Sequence, residues 1–323
     1  MSYVWYTESV DTSAILLAQA LNANHGPIAP IGADVNKIIF YGIVNHGENF
    51  MVNKEISFNL PSEGRPTLHK HTLMSSLRAL GINTANYVNI KDNSFTTVSE
   101  ALHTRKIALV SKRAGMTVVN TAENATQFRQ ATANGHVNYA MKAQPISGKY
   151  RVFCGLPETI PEYILGGLVA EKRQLSFKET LLLDAGEEAK GHVENLFETG
   201  ALTEDMGVGT EAWSEEKFQT ELPANIVSSI KKIQNWASYD FCAFDFVKLV
   251  SPGEEKYMVT NATTSPSLQN DDVLQAVAEY FRNLVEFGRN YNKESLIKLV
   301  GDFNEDQVKK VAEFIVNQKV LRA

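Results

Sequence analysis

Tyr239 to Leu268 reads YDFCAFDFVKLVSPGEEKYMVTNATTSPSL, with two apolar runs, 241–250 and 256–260, on either side of a Ser-Pro-Gly-Glu turn. Pro and Gly preset a tight bend, so the spacing predicts a β-hairpin. Asp245 is a lone carboxylate between Phe244 and Phe246, and an unpaired buried charge there costs on the order of several kcal/mol. A metal ion or a basic partner must compensate it. The second strand runs on into Asn261, Thr263, Thr264 and Ser265, whose side-chain oxygens the hairpin brings across from Asp245. Hard oxygens converging from adjacent strands suit magnesium, usually alongside phosphates and water.

Upstream of the hairpin the chain alternates short apolar runs with helix-spaced segments. A helix is expected over 67–80, with Leu68, Leu73, Leu77 and Leu80 apolar and Gly81 as its stop. Lys70, near its start, reads by itself as a solvated helix lysine. Residues 106–110 form an apolar strand ending at Ser111-Lys112-Arg113-Ala114-Gly115. A lysine just before a glycine turn can project its ammonium onto phosphate oxygens. A helix over 123–133 and a strand over 137–146 follow, the latter ended by Pro145. In Gly148-Lys149-Tyr150-Arg151-Val152-Phe153 the arginine is always charged and sits among apolar residues. Its partner is an anion, either a phosphate or a structural carboxylate.

Residues 166–170 read as another strand, with Lys172 and Arg173 at its end as anion-binding candidates. The stretch 175–221 is acidic and helix-prone, which describes a solvated face. Pro223 suits the first turn of a helix over 224–238. An amphipathic helix over 271–282 is followed by shorter ones at 293–299 and 305–317. In the last, Val308, Val311, Phe314 and Ile315 form a stripe that must be buried, against this chain or a second copy. Residues 1–66 form a small α/β unit with a helix over 14–22 and strands at 37–44 and 50–58. Trp5 and Tyr6 are expected in its core, and the linker candidate is 61–66.

These features resemble the ATP-grasp family. Its C-terminal core has a strand ending in a metal-binding Asp, a hairpin, and then Glu-x-Asn-x-x-Pro-x-Leu; here Asp245 is followed by Asn261-x-Thr263-x-x-Pro266-x-Leu268. Lys70 precedes a Gly81-Ile82 pair as the first family lysine does, with Ala85 in place of the family's Pro, and Lys112 stands where the second does. Residues 149–153 resemble the family's Glu-Tyr-Arg-Val-Phe strand. The resemblance implies an α+β ATP-grasp fold, two lobes holding ATP between antiparallel sheets. It divides the chain into a pre-ATP-grasp α/β domain at 1–66, an ATP-grasp domain at 67–285 with a lid at about 106–143, and a helical tail at 286–323.

The same resemblance implies an ATP-dependent carboxylate–amine ligase working through an acyl-phosphate, with ATP and Mg2+ as cofactors. Lys70 and Lys112 would hold phosphates, Gln144 and Ile146 would meet the adenine and ribose, Arg151 would be catalytic, and Asp245, Asn261 and Thr263 would position the metal. Two metal-ligand letters differ, Asn261 for Glu and Thr263 for Asn, and the lid loop keeps only Gly115. The alternative is therefore an inactive relative that binds nucleotide or a partner protein. The implied partners are a small carboxylate and amine, or a peptide or protein acceptor, and a second copy through the C-terminal helices. ATP-grasp proteins of tailed viruses offer a similar pattern.

The remaining function classes are narrowed by composition. With 323 residues, 44% hydrophobic and a net charge of −6, the chain is long enough for more than one lobe and lacks a broad electrostatic footprint for nucleic acid. No apolar run approaches a membrane span, and no basic region with an apolar core opens the chain, so a cytoplasmic protein is expected. Cys154 and Cys242, both in apolar runs, read as core thiols in a reducing compartment.

Overall fold

The computed structural model describes residues 2–6, 12–27, 37–41, 57–59, 70–90, 93–113, 116–133, 137–156, 163–185, 187–237 and 239–287. The linker candidate at 61–66, Gly115 and the expected helices at 293–299 and 305–317 lie outside them. The N-terminal segment holds β1 (Ser2–Tyr6), α1 (Thr12–Ala20), β2 (Asn24–Gly26), β3 (Lys37–Tyr41) and β4 (Ser57–Phe58). The strands pair in parallel in the order β2-β1-β3-β4. Ile38, Ile39, Phe40 and Tyr41 are all buried, as a parallel sheet covered on both faces requires. Trp5 and Tyr6 are buried as well.

α2 (Lys70–Ala79) ends as its sequence predicts. Ile82 N–H donates to Leu77 O at 3.1 Å and Gly81 N–H donates to Arg78 O at 2.9 Å, with Gly81 at φ +74°. This is a Schellman cap, and its flanking residues Leu77 and Ile82 enter the same core. β5 (Val88–Asn89), α3 (Phe95–Ala101), β6 (Ile107–Arg113), β7 (Met116–Ala122), α4 (Ala125–Thr132) and β8 (Val137–Lys142) build a separate antiparallel sheet in the order β5-β8-β6-β7. Ser94 and Asn124 cap its two helices with side-chain oxygens. The single strand expected over 137–146 is two: β8 stops at Lys142, and Ile146 opens the next strand. Pro145 has no N–H for a ladder, and its carbonyl instead accepts from Val250 N–H at 3.0 Å.

The largest sheet contains β9 (Ile146–Gly155) and β10 (Ile164–Gln174). After α5 (Phe177–Asp184) and α6 (Glu187–Glu198) come β11 (Glu211–Trp213), β12 (Lys217–Gln219) and α7 (Ala224–Ala237). The hairpin β13 (Phe241–Leu249) and β14 (Lys256–Thr263), then α8 (Asp271–Phe287), complete it. The strand order is β11-β10-β9-β13-β14, with β12 also on β10. The acidic stretch after β10 is thus not only helix and solvated face; it returns twice to lengthen the sheet. Gly166 makes the second return, β12, possible. At φ +135° a Cβ there would lie 2.5 Å from the Phe218 ring and 2.8 Å from Gln219 O.

Both faces of the sheet are covered, which explains why the 241–247 run is almost wholly apolar. On one face Val152, Cys154, Phe244 and Phe246 lie under α7 and α2. On the other, Phe153, Phe241 and Ala243 lie under α8 and the N-terminal segment. Cys154 and Cys242 are direct cross-strand partners, free and buried, and burial pushes both thiols' pKa values up.

Candidate functional site

Asp245 sits in the hairpin as expected, and its compensating charge is a basic side chain. Antiparallel register places Arg151 of β9 opposite Asp245 on one side and Asn261 of β14 opposite it on the other. Direct partners share a face, so three segments far apart in sequence meet in one row. Arg151 Nε donates to Asp245 Oδ1 at 2.7 Å and its terminal nitrogen donates to Oδ2 at 3.2 Å, a bidentate fork. Asn261 Nδ2 donates to the same Oδ2 at 3.1 Å. The carboxylate therefore answers the open question about Arg151: its anionic partner here is Asp245.

The register depends on one extra residue. Phe246 pairs with Val259, but Asp245 pairs with Asn261, which leaves Thr260 as a β-bulge. Without it Thr260 would face Asp245 and Asn261 would turn to the opposite side. The bulge is pinned from both directions, as Tyr87 OH donates to Thr260 O at 2.8 Å and Thr260 Oγ1 donates to Asp245 O at 3.3 Å. Burial first, and then the Asp245 charge, raise the Tyr87 phenol, so it stays a neutral donor. The Arg151 guanidinium moves upward too, chiefly through its hydrogen bonds to Asp245, against the opposing effect of burial.

The exit from β14 is held by the N-terminal segment. Asn59 Nδ2 donates to Phe40 O at 2.9 Å and Thr264 O at 3.0 Å, while Asn59 N–H donates to buried Asp240 at 2.7 Å. Tyr41 OH donates to Pro266 O, and Leu268 N–H donates to Ser13 Oγ at 3.0 Å. Thr263 lies on the Asp245 face, two residues beyond Asn261, and its Oγ1 accepts from Ser265 N–H at 3.1 Å.

One carboxylate, one amide and one hydroxyl thus share a face. No group of three or more His, Cys, Asp or Glu suited to a metal occurs among the described residues. Such a set fits magnesium only if phosphate oxygens complete the shell, with the Asn261 amide turned to present its oxygen. Of the other expected site residues, Gln144 is exposed in the β8–β9 connection and Ile146 is half-buried at the start of β9. Lys70 opens α2 and Lys112 lies in β6, and their side chains fall outside what the structure describes.

Lys172 and Arg173, anion candidates by sequence, are instead paired with Glu211 at 3.4 Å and Glu179 at 2.8 Å. Lys149, which no sequence pattern singles out, has its ammonium 4.2 Å from the Trp213 ring centroid. A cavity of about 530 Å³ opens on the sheet's other face between Tyr150, Glu171, Lys248 and Tyr257. Lys248 is neutralised there by Glu255 at 2.5 Å, and none of the Arg151–Asp245–Asn261 row lines it. No helix among the described residues is long and apolar enough to cross a membrane.

No family model matches the chain, and no curated protein does. Its fold does match solved structures. D-alanine–D-alanine ligase from Bacillus anthracis superposes with a TM-score of 0.55 at 12% identity, over 91% of this chain and 99% of the other. D-alanyl-alanine synthetase A from Vibrio cholerae gives 0.55 at 12% identity, over 88% and 97%. The ATP-grasp ligase PsnB, solved with a phosphomimetic variant of a minimal precursor, magnesium and ADP, gives 0.50 at 9% identity, over 87% and 98%. At these identities the likeness is one of fold.

Proposed function

We propose, from the premise that this chain has the ATP-grasp fold, that it is an ATP-dependent ligase joining a carboxylate to an amine through an acyl-phosphate. The observation that carries the reading is the row Arg151–Asp245–Asn261, a guanidinium, a carboxylate and an amide on one sheet face. In this reading residues 67–285 are the nucleotide-holding domain, 1–66 supply the pre-domain that fixes the exit of β14, and 286–323 are a tail. Lys70 and Lys112 hold phosphates, and Gln144 with Ile146 meets the adenine and ribose. Asp245, Asn261 and Thr263 would hold magnesium, which when bound neutralises phosphate charge.

Arg151 then has two partners to choose between. It forks onto Asp245, and with a triphosphate bound it would neutralise charge developing on the phosphoryl group being transferred. An oxygen of the acid attacks the γ-phosphorus and the bond to ADP breaks. The amine then attacks the acyl carbon, phosphate leaves, and the amine loses a proton. The acceptor is a small amine or a peptide. The buried, unbridged thiols support a reducing, cytoplasmic setting.

A second reading has its own observation. Asn261 supplies no charge, and the carboxylate beside it is already taken by Arg151. A relative that binds nucleotide without turning it over would look the same. Magnesium-dependent ADP release across amino acids, carboxylates and peptides, with nucleotide binding measured in parallel, separates the two. Turnover supports the ligase; binding without turnover supports the second reading; neither binding nor turnover overturns both.

A further inference from the structure

Lys149 precedes Arg151 by two residues on β9, so both side chains leave the same face, roughly 6–7 Å apart along the strand. Its cross-strand neighbours, Ala170 and Val247, carry no charge. Its ammonium lies over Trp213, and Lys172 reaches the same ring at 5.7 Å. Trp213 ends β11, the strand that the acidic stretch lays against Lys172. Four neighbouring cations are neutralised: Arg151 by Asp245, Lys172 by Glu211, Arg173 by Glu179 and Lys248 by Glu255. Lys149 has no carboxylate partner among the described residues, and an indole face alone aims it.

An exposed cation–π contact is weak, and an anion that hydrogen-bonds the ammonium displaces it. The added strand therefore fixes a cation with no ion-pair partner among the described residues beside the Arg151 row, where the Glu216 charge also reaches Arg151. We infer that Lys149, aimed by Trp213, is an anion-recognition residue of this site, taking a carboxylate or phosphate group of the ligand beside the one Arg151 meets. The identity of that ligand rests on the ligase reading; the binding itself does not.

Trp213 reports the event directly, because removing the ammonium from its ring alters its emission, while Trp5 and Trp236 give a constant background. The full chain is titrated separately with magnesium-ADP, with succinate, and with acetate as a singly charged control. The expected result is a saturable change with ADP or succinate at concentrations where acetate gives none. Lys149→Met weakens that probe about tenfold or more, Lys149→Arg keeps it within about threefold, and Trp213→Phe abolishes the signal.

A response to ADP identifies phosphate as the group taken, and a response to succinate identifies carboxylate. Both positions are outside the core, and matching melting curves exclude misfolding. No emission change with any probe, or equal affinity in Lys149→Met, overturns the inference. Turnover and ADP affinity left intact in Lys149→Met would sink it while leaving the ligase standing. Lys149-dependent succinate binding without any turnover would do the reverse.

Discussion

Breaking the Arg151–Asp245 fork one side at a time is the most informative perturbation of the folded chain. The two side chains keep 37% and 23% of their exposure, and the carboxylate accepts three hydrogen bonds from Arg151 and Asn261. Fully exposed pairs contribute about 0.2–1 kcal/mol, whereas removing one partner of a buried pair costs about 3–5 kcal/mol. A pair about two-thirds to three-quarters out of water falls between these limits. We expect Asp245→Ala and Arg151→Met each to cost about 2 kcal/mol, and the double variant about 2.5, for a coupling of about 1.5 kcal/mol. Urea unfolding of the four proteins in low salt supplies the cycle, and molar salt should shrink the coupling because the pair is partly solvated. Additivity within about 0.3 kcal/mol would refute the claim that these two groups satisfy each other.

Three further outcomes follow from other parts of the molecule. Both cysteine thiols have pKa values raised by burial, so their contribution is complete below the unfolded value of about 8.5 and is lost as pH rises above it toward the folded values. By pH 10 each thiol should have cost about 2 kcal/mol of stability, and urea midpoints of a Cys154→Ala/Cys242→Ala protein should fall less steeply over that interval. Gly166→Ala should destabilise by about 2–4 kcal/mol in the same assay, since its Cβ meets a backbone oxygen that cannot swing away. Asn261→Asp sets a second carboxylate against Asp245, so its melting temperature should fall without magnesium and recover with millimolar magnesium, more than the wild type does.

Local chemistry made several elements legible in the sequence. The hairpin was readable because Ser-Pro-Gly-Glu and the flanking apolar runs leave little choice, and the end of α2 because Gly81 permits a conformation other residues resist. What could not be read was register. Arg151 and Asp245 are 94 residues apart in sequence, and whether they face each other depends on strand alignment that no local pattern encodes. The bulge at Thr260, which turns Asn261 toward Asp245, occurs at a threonine and carries no glycine signal. β11 and β12 are three residues each, too short for an alternation to stand out within an acidic stretch. For the same reason the sequence does not reveal the Trp213 ring that Lys149 meets, while the adjacent Lys172 and Arg173, which charge alone marks as anion candidates, are paired.

Asp245 is proposed to link magnesium to a bound nucleotide. Calorimetric titration of ADP into the wild type and Asp245→Ala, each with and without magnesium, tests it most directly. Magnesium is expected to tighten ADP binding to the wild type about tenfold or more and to leave Asp245→Ala unchanged. A wild type that takes up no ADP, or a magnesium effect of equal size in Asp245→Ala, would contradict it.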